Sequence, residues 1–229
     1  MADTGNDGFP GVQKQDRAHH VLLGLTLLLI AVQPLGTASG GIYTRLVMGA
    51  VLIGCLAAIR SNRRALVLGV ALGLPALAIL LMVPFGGVGA AGMGLGVATI
   101  AFVCVVLLGG IFRRGQGRGG VSASDVSASL VVYLLIGVMW AMAYVVLETS
   151  RPGSFYGLEG TGSLELRRDL FYFSFVTLTT LGYGDIGPLT PEGRSLVVLE
   201  STVGQLYLVV LVASLVAMFL EGRSNQRDG

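Results

Sequence analysis

Six long apolar runs, at residues 20 to 35, 41 to 59, 65 to 84, 88 to 112, 128 to 147 and 194 to 220, constrain this sequence more than any other feature. A hydrocarbon core about 30 Å thick takes roughly 20 apolar residues as helix. A chain built from such runs belongs in a membrane, and the composition agrees: 53% hydrophobic, 12% charged, mean hydropathy +0.78. Between the fifth and sixth runs lies a shorter apolar stretch, Leu170 to Leu181. At about 1.5 Å per residue it is too short to cross and has to dip in and return. The expected fold is an all-α membrane protein, with six transmembrane helices and a re-entrant helix and loop between helices five and six.

Arginines orient the set, because short loops rich in Lys and Arg stay cytoplasmic. Arg60, Arg63 and Arg64 follow the second run, and Arg113, Arg114 and Arg118 follow the fourth, while the loops near 36 to 40 and 84 to 88 are uncharged. Lys14, Arg17, Arg223 and Arg227 flank the two ends. Both termini are expected in the cytoplasm, and the membrane is expected to be the cell's inner one. A secretory signal is the alternative for the first run, since Val21 to Ala31 resembles an h-region and Thr37, Ala38 and Ser39 suit cleavage. The long, mixed-charge stretch before it argues against that reading. The clearest compositional break is Gly115 to Asp125, which divides the chain. The expected order is a tail at 1–19, four helices at 20–112, a linker at 113–127, a second unit at 128–220 and a tail at 221–229. Ser124 or Asp125 can cap the fifth helix.

Other features exclude function classes or have plain structural readings. A net charge of +2 leaves no basic face to follow a phosphate backbone, so nucleic acid is not an expected partner. Cys55 and Cys104 lie in apolar runs with no neighbouring His or Cys, which reads as packing. Residues 87 to 92 match GxGxxG, but no βαβ context surrounds them and no acidic residue follows at the required distance. Gly69 with Gly73, and Gly92 with Gly96, stand at GxxxG spacing for close helix approach. Pro75 is expected to kink the third helix. Arg45 can snorkel to the interface, and His19 and His20 read as solvated interfacial imidazoles rather than a pH sensor.

The chemistry sits in Thr179-Thr180-Leu181-Gly182-Tyr183-Gly184-Asp185. Irregular backbone at membrane depth is tolerated only where protein buries it or water lines it. Two glycines permit conformations in which consecutive carbonyls point one way, and several such strips around an axis can replace an ion's hydration shell. The stretch resembles the potassium-channel pore loop, whose usual signature is TVGYG, with Leu181 in place of Val. The resemblance runs from about Leu170 through the last helix, where Pro188, Gly193, Arg194, Glu200 and Gly204 fall at familiar positions, and takes in helix five. Nothing comparable is found in the first 112 residues.

The resemblance implies potassium sites at the carbonyls of Thr180, Leu181, Gly182 and Tyr183, closed by Gly184, with the Thr180 hydroxyl at the inner end. Asp185 reads either as a cation-concentrating mouth carboxylate or as a structural group bonded behind the filter. Tyr172 and Phe173 fall where the family builds an aromatic cuff. Val176 stands where some members place a buried Glu that pairs with the Asp after the filter, so that pair is missing. Glu200 reads as a hydrogen-bonding partner behind the pore helix rather than an ion contact, because intramembrane acids face protein or water. Gly204 is a hinge or a close-packing site, the resemblance favouring a hinge. Leu208, Val212 and Leu215 or Val216 form one apolar stripe, the candidate cavity wall.

Together these readings imply a homotetrameric, potassium-selective, passive channel with no catalysis and no cofactor beyond the permeant ion. One filter strip per chain needs symmetry to close a ring. A non-selective pore generally lacks the Tyr-Gly pair, and an ion-coupled transporter tends to carry four degenerate repeats. A non-conducting scaffold is the remaining rival. Gly86 to Phe112 holds no charge, so weak voltage dependence is expected. Arg113 and Arg114 suit topogenic charge or anionic lipid. The short, polar 221–229 segment and a disordered reading of Met1 to Gln15 imply no intracellular ligand domain.

Overall fold

The computed structural model describes residues 10–32, 42–58, 63–82, 90–115, 123–159 and 162–225, with side chains over 20–31, 46, 48–57, 63–79, 92–111, 125–159 and 162–214. The possible cleavage site at Thr37 to Ser39, the loops near 36–40 and 84–88, and the side chains of Arg45, Arg113, Arg114, Leu215 and Val216 lie outside that description. Among the described residues seven helices follow in order: α1 (Pro10–Val32), α2 (Ile42–Ala58), α3 (Arg63–Met82), α4 (Ala90–Gly115), α5 (Ala123–Ser150), α6 (Ser163–Leu178) and α7 (Pro191–Asn225). Two two-residue strands, β1 (Phe155–Tyr156) and β2 (Gly187–Pro188), add a small antiparallel ladder to the helical fold. Among the described residues three stretches are long and apolar enough to cross a membrane, Gly92–Ile111, Asp125–Ser150 and Pro191–Ser214. His20–Ala31 and Met48–Ala57 are shorter apolar helices.

Several boundaries differ from expectation for identifiable reasons. α1 begins at Pro10, inside the stretch read as disordered, because proline suits the first helical position, where its missing N–H has no partner to lose. α5 begins at Ala123, which puts Ser124 and Asp125 in its first turn rather than at the cap; Asp125 there meets the positive end of the macrodipole. α6 starts seven residues before Leu170 because Glu165 folds back to accept the Gly162 N–H at 3.1 Å, so polar residues carry its first turns. It ends at Leu178, leaving Thr179 to Leu181 for the strip that follows. Pro75 lies within α3, which continues on both sides of it.

α5 is the centre of the arrangement, touching α1, α4, α6 and α7. Its Val131, Val132 and Leu135 are fully buried in one core with Leu22 and Leu29 of α1 and with Val103 and Leu107 of α4. Cys55 and Cys104 are free and buried in the same core, as their apolar surroundings require. One glycine of each GxxxG pair meets a neighbouring helix: Gly73 lies against Leu56 of α2, and Gly96 against Met142 of α5. A β-carbon at Gly137 would come 2.8 Å from Phe175, so this glycine brings α5 and α6 together. A second core forms around Tyr144, Phe155, Leu170, Phe173 and Ile186.

Candidate functional site

The strip after α6 is shaped by its own helix. The Thr179 and Thr180 N–H groups return to Phe175 O and Thr177 O at 3.0 and 2.9 Å, ending α6 tightly. The next two N–H groups, of Leu181 and Gly182, both reach back to Val176 O, at 3.0 and 3.3 Å. These peptide bonds are trans, so each carbonyl lies opposite the N–H of its peptide plane. The carbonyls of Thr180 and Leu181 therefore point away from α6. Every second residue has positive φ, at 58° for Thr180, 55° for Gly182 and 76° for Gly184. For β-branched Thr180 this region is strained, costing about 1–3 kcal/mol that the surrounding bonds must hold. Residues Thr179 to Asp185 are all exposed on the isolated subunit, Tyr183 to 67%.

The outer end is braced by side chains of α6 and of the loop before it. Tyr172 donates its hydroxyl to Asp185 Oδ2 at 2.8 Å. That bond holds the Asp185 carboxyl below, and the Tyr172 phenol above, its ordinary range. Tyr156 donates to the Gly184 carbonyl at 3.4 Å, placed by the register Phe155↔Pro188 and Tyr156↔Gly187. Glu148 orders that loop by accepting the Gly153 and Phe155 N–H groups at 2.7 and 3.1 Å, and Arg151 pairs with Glu192 of α7. Phe173, grouped with Tyr172 in the sequence reading, turns instead toward α5. Its ring centroid lies 5.2 Å from that of Tyr144 and 5.5 Å from that of Phe155. Val176 contributes its carbonyl rather than its side chain.

Behind the strip, α7 carries Glu200, fully buried between α5 and α6. Tyr144 donates to Glu200 Oε2, and Ser174 Oγ lies 2.5 Å from Oε1 and 2.8 Å from the Gly137 carbonyl. One turn on, Gly204 is buried against the end of α6, where a β-carbon would come 2.7 Å from Leu178 Cδ1 and 3.2 Å from Leu178 O. This approach accounts for the glycine by packing, and α7 runs unbroken through it. Leu178 O also accepts from Tyr133 at 3.2 Å; Tyr133 stacks on Tyr207, which donates to Ser129 O at 2.6 Å. Gln205 extends toward Thr180 Oγ1 at 3.5 Å, and Leu208, Val212 and position 216 follow it at three- and four-residue spacing. Leu208 is half-buried and Val212 exposed.

Tyr144, Ser174, Tyr133, Tyr207 and Gln205 were not singled out from the sequence. A signal was present, since a hydroxyl or amide inside an apolar helix needs a partner. His20 Nδ1 lies 2.8 Å from Ser127 Oγ, so α1 is bonded to α5 near the start of α5.

Residues 132–221 match a family described as ion channel. The sequence is also 36% identical over 91 residues to the inward rectifier potassium channel Kirbac3.1 of Paramagnetospirillum magnetotacticum. Both matches support a potassium-channel pore-loop family for this part of the chain. The alignment covers 38% of this chain and 27% of that relative, so this chain spans about a quarter of that relative's length. No solved structure matches. The matched segment takes in α5 from Val132, α6, the strip and α7 to Glu221, and with the long apolar helices it supports a membrane protein. The four helices before it lie outside the ion-channel match.

Proposed function

We propose that the chain is one subunit of a homotetrameric, potassium-selective channel that conducts passively. The observation that carries this reading is the strip from Thr180 to Gly184. Its N–H groups at Leu181 and Gly182 are tied to Val176 O, its φ alternates in sign, and the carbonyls of Thr180 and Leu181 are turned away from α6. Four copies around an axis would stack rings of oxygen from Thr180, Leu181, Gly182 and Tyr183 in place of an ion's water. The exposed face of α7, with Leu199, Val203, Leu206 and Val210, gives the apolar surface that neighbouring subunits would cover. Gln205, Leu208 and Val212 line the cavity below the Thr180 ring, with position 216 next at four-residue spacing.

In this reading α1 to α5 and α7 cross the membrane six times, α6 and the strip re-enter from outside, and both termini are cytoplasmic in the inner membrane. Asp185 is foremost a structural carboxylate, because its Oδ2 is engaged by Tyr172. α4 has no charge from Ala90 to Ile111, so moving it through the field does little work; each displaced charge would be worth about 2.3 kcal/mol per 100 mV. Conductance is therefore weakly voltage-dependent. The test is the reversal potential of the purified chain in a planar bilayer under opposed potassium and sodium gradients. A reversal near the potassium equilibrium value supports the reading, and one near zero refutes selectivity. Native mass spectrometry showing only monomers or dimers refutes the tetramer, and flux that survives Tyr183→Ala unchanged refutes the filter assignment.

A further inference from the structure

We infer that Glu200 is a neutral carboxylic acid, whose own proton closes a chain of three hydrogen bonds from Tyr144 through Glu200 and Ser174 to the Gly137 carbonyl. A proton count requires it. Three oxygen pairs lie within bonding distance: Tyr144 Oη with Glu200 Oε2, Glu200 Oε1 with Ser174 Oγ at 2.5 Å, and Ser174 Oγ with Gly137 O at 2.8 Å. Each pair needs one hydrogen between its oxygens. Tyr144 supplies one and Ser174 one, and a backbone carbonyl only accepts. The third can come only from the carboxyl. Were Glu200 ionised, the single Ser174 proton would serve either Gly137 or Glu200, and the other pair would face lone pair to lone pair.

The surroundings agree. Glu200 is fully buried, and among the described residues no Arg, Lys or His pairs with it. The titratable groups near it are the phenols of Tyr144 and Tyr133 on α5; α6 presents the Ser174 hydroxyl. A carboxylate so placed would be a buried charge without a counter-ion, which is costly at membrane depth. The neutral acid instead joins α5, α6 and α7 through one relay. Ser174 stands two residues before Val176, whose carbonyl takes the Leu181 and Gly182 N–H groups. Glu200 is thus a positioning residue for the strip, and its effect on conduction, though not its protonation, rests on the channel reading above.

The neutral state makes an unusual demand on substitution. The amide of Glu200→Gln can donate from nitrogen to Ser174 and accept from Tyr144, reproducing all three bonds. Against an ionised glutamate the same amide would turn a donor toward a donor. The test uses the full chain in liposomes. The expected results are an infrared carbonyl band of a protonated carboxyl at pH 7, shifted in D₂O and lost in Glu200→Gln. Rubidium uptake by that variant should stay within about threefold of the parent, whereas Glu200→Ala and Ser174→Ala should lose about tenfold or more. Absence of the band overturns the inference. So does a Glu200→Gln chain that fails to assemble or conducts as poorly as Glu200→Ala. A chain that shows the band and conducts no ion upholds the protonated acid and overturns the channel reading.

Discussion

Two glycines in the loop between α5 and α6 provide a matched test of what holds the Asp185 end of the proposed filter strip. Gly153 and Gly157 both have positive φ, 86° and 79°, so an alanine at either costs about 1–2 kcal/mol in backbone conformation. They differ in what surrounds them. A β-carbon at Gly153 meets nothing within 4 Å. At Gly157 it would overlap the Asp185 carbonyl oxygen and lie 2.9 Å from Asp185 C and 3.1 Å from Ile186 Cα. All three are backbone atoms, so no side chain can swing aside. Overpacking of this kind adds about 1–3 kcal/mol. Gly153→Ala is therefore expected to lose about 1–2 kcal/mol, and Gly157→Ala about 2–5 kcal/mol.

The functional contrast should be larger than the stability contrast. Asp185 follows Gly184 directly, and its carboxylate receives the Tyr172 hydroxyl. Displacing its carbonyl moves the outer filter end away from the groups that fix it, whereas Gly153 has no such neighbour. Thermal midpoints of both variants in detergent, with rubidium flux from liposomes, measure the two effects. Flux within about threefold of the parent for Gly153→Ala and reduced about tenfold or more for Gly157→Ala is expected, given the steric difference. Equal midpoints and equal flux in the two variants would show that this loop does not position the filter.

Gly204→Ala should lower the thermal midpoint by an amount equivalent to about 1–3 kcal/mol, because its β-carbon would press on Leu178; an unchanged midpoint would return the position to a purely hinge role. Asp185 has a folded-state pKa below its ordinary value, so its contribution is complete above that value and lost as the pH falls through the lowered one. Tyr172→Phe removes the largest cause of the lowering, so its acid loss of flux should begin at higher pH than in the parent; coincident acid limbs in an external pH titration would contradict this. A fragment starting at Ser122 uncovers Val131, Val132 and Leu135, all fully buried in the complete chain, and should be markedly less stable in detergent. Conductance of the full chain across a voltage ramp should change shallowly, and a steep curve with several gating charges would count against the uncharged α4 as its explanation.

The pore unit was legible in the sequence to different depths. The irregular strip after α6 could be read because Gly182 and Gly184 permit the positive φ it adopts there, a property local to a few residues. The extent of α6 was read too late at both ends. Its apolar signal starts at Leu170, while its start is decided by a polar turn at Glu165 and its end by bonds from Thr179 and Thr180. Phe173 and Tyr172 are neighbours in sequence and were read alike, yet successive helical residues lie about 100° apart, and one faces Tyr144 while the other reaches Asp185. Glu200 was recognised as needing a partner. Which partner depends on how α5 and α6 cross, and that crossing is set by Gly137 and its contact with Phe175, a tertiary fact with no periodic signature.

The absence of an acid at position 176 changes how the strip is held rather than whether it is held. Where a buried Glu–Asp pair would fix the outer end in some relatives, Asp185 takes its bond from Tyr172, one helical turn earlier on α6. The same α6 supplies the inner anchor through Val176 O, with Gln205 of α7 toward the Thr180 hydroxyl. α6 must therefore be fixed itself. It is fastened at Ser174 by Glu200 and Gly137, and at Leu178 by the Tyr133 hydroxyl and the close approach of Gly204. Of those four groups, Gly137 and Tyr133 belong to α5, the helix whose Val131, Val132 and Leu135 are buried in the core shared with α1 and α4. α1 and α4, which precede the matched segment, thus pack on the same element that seats α6. Removing them takes away packing from the back of α5, so the loss of stability expected for the Ser122 fragment should be accompanied by a less firmly seated α6.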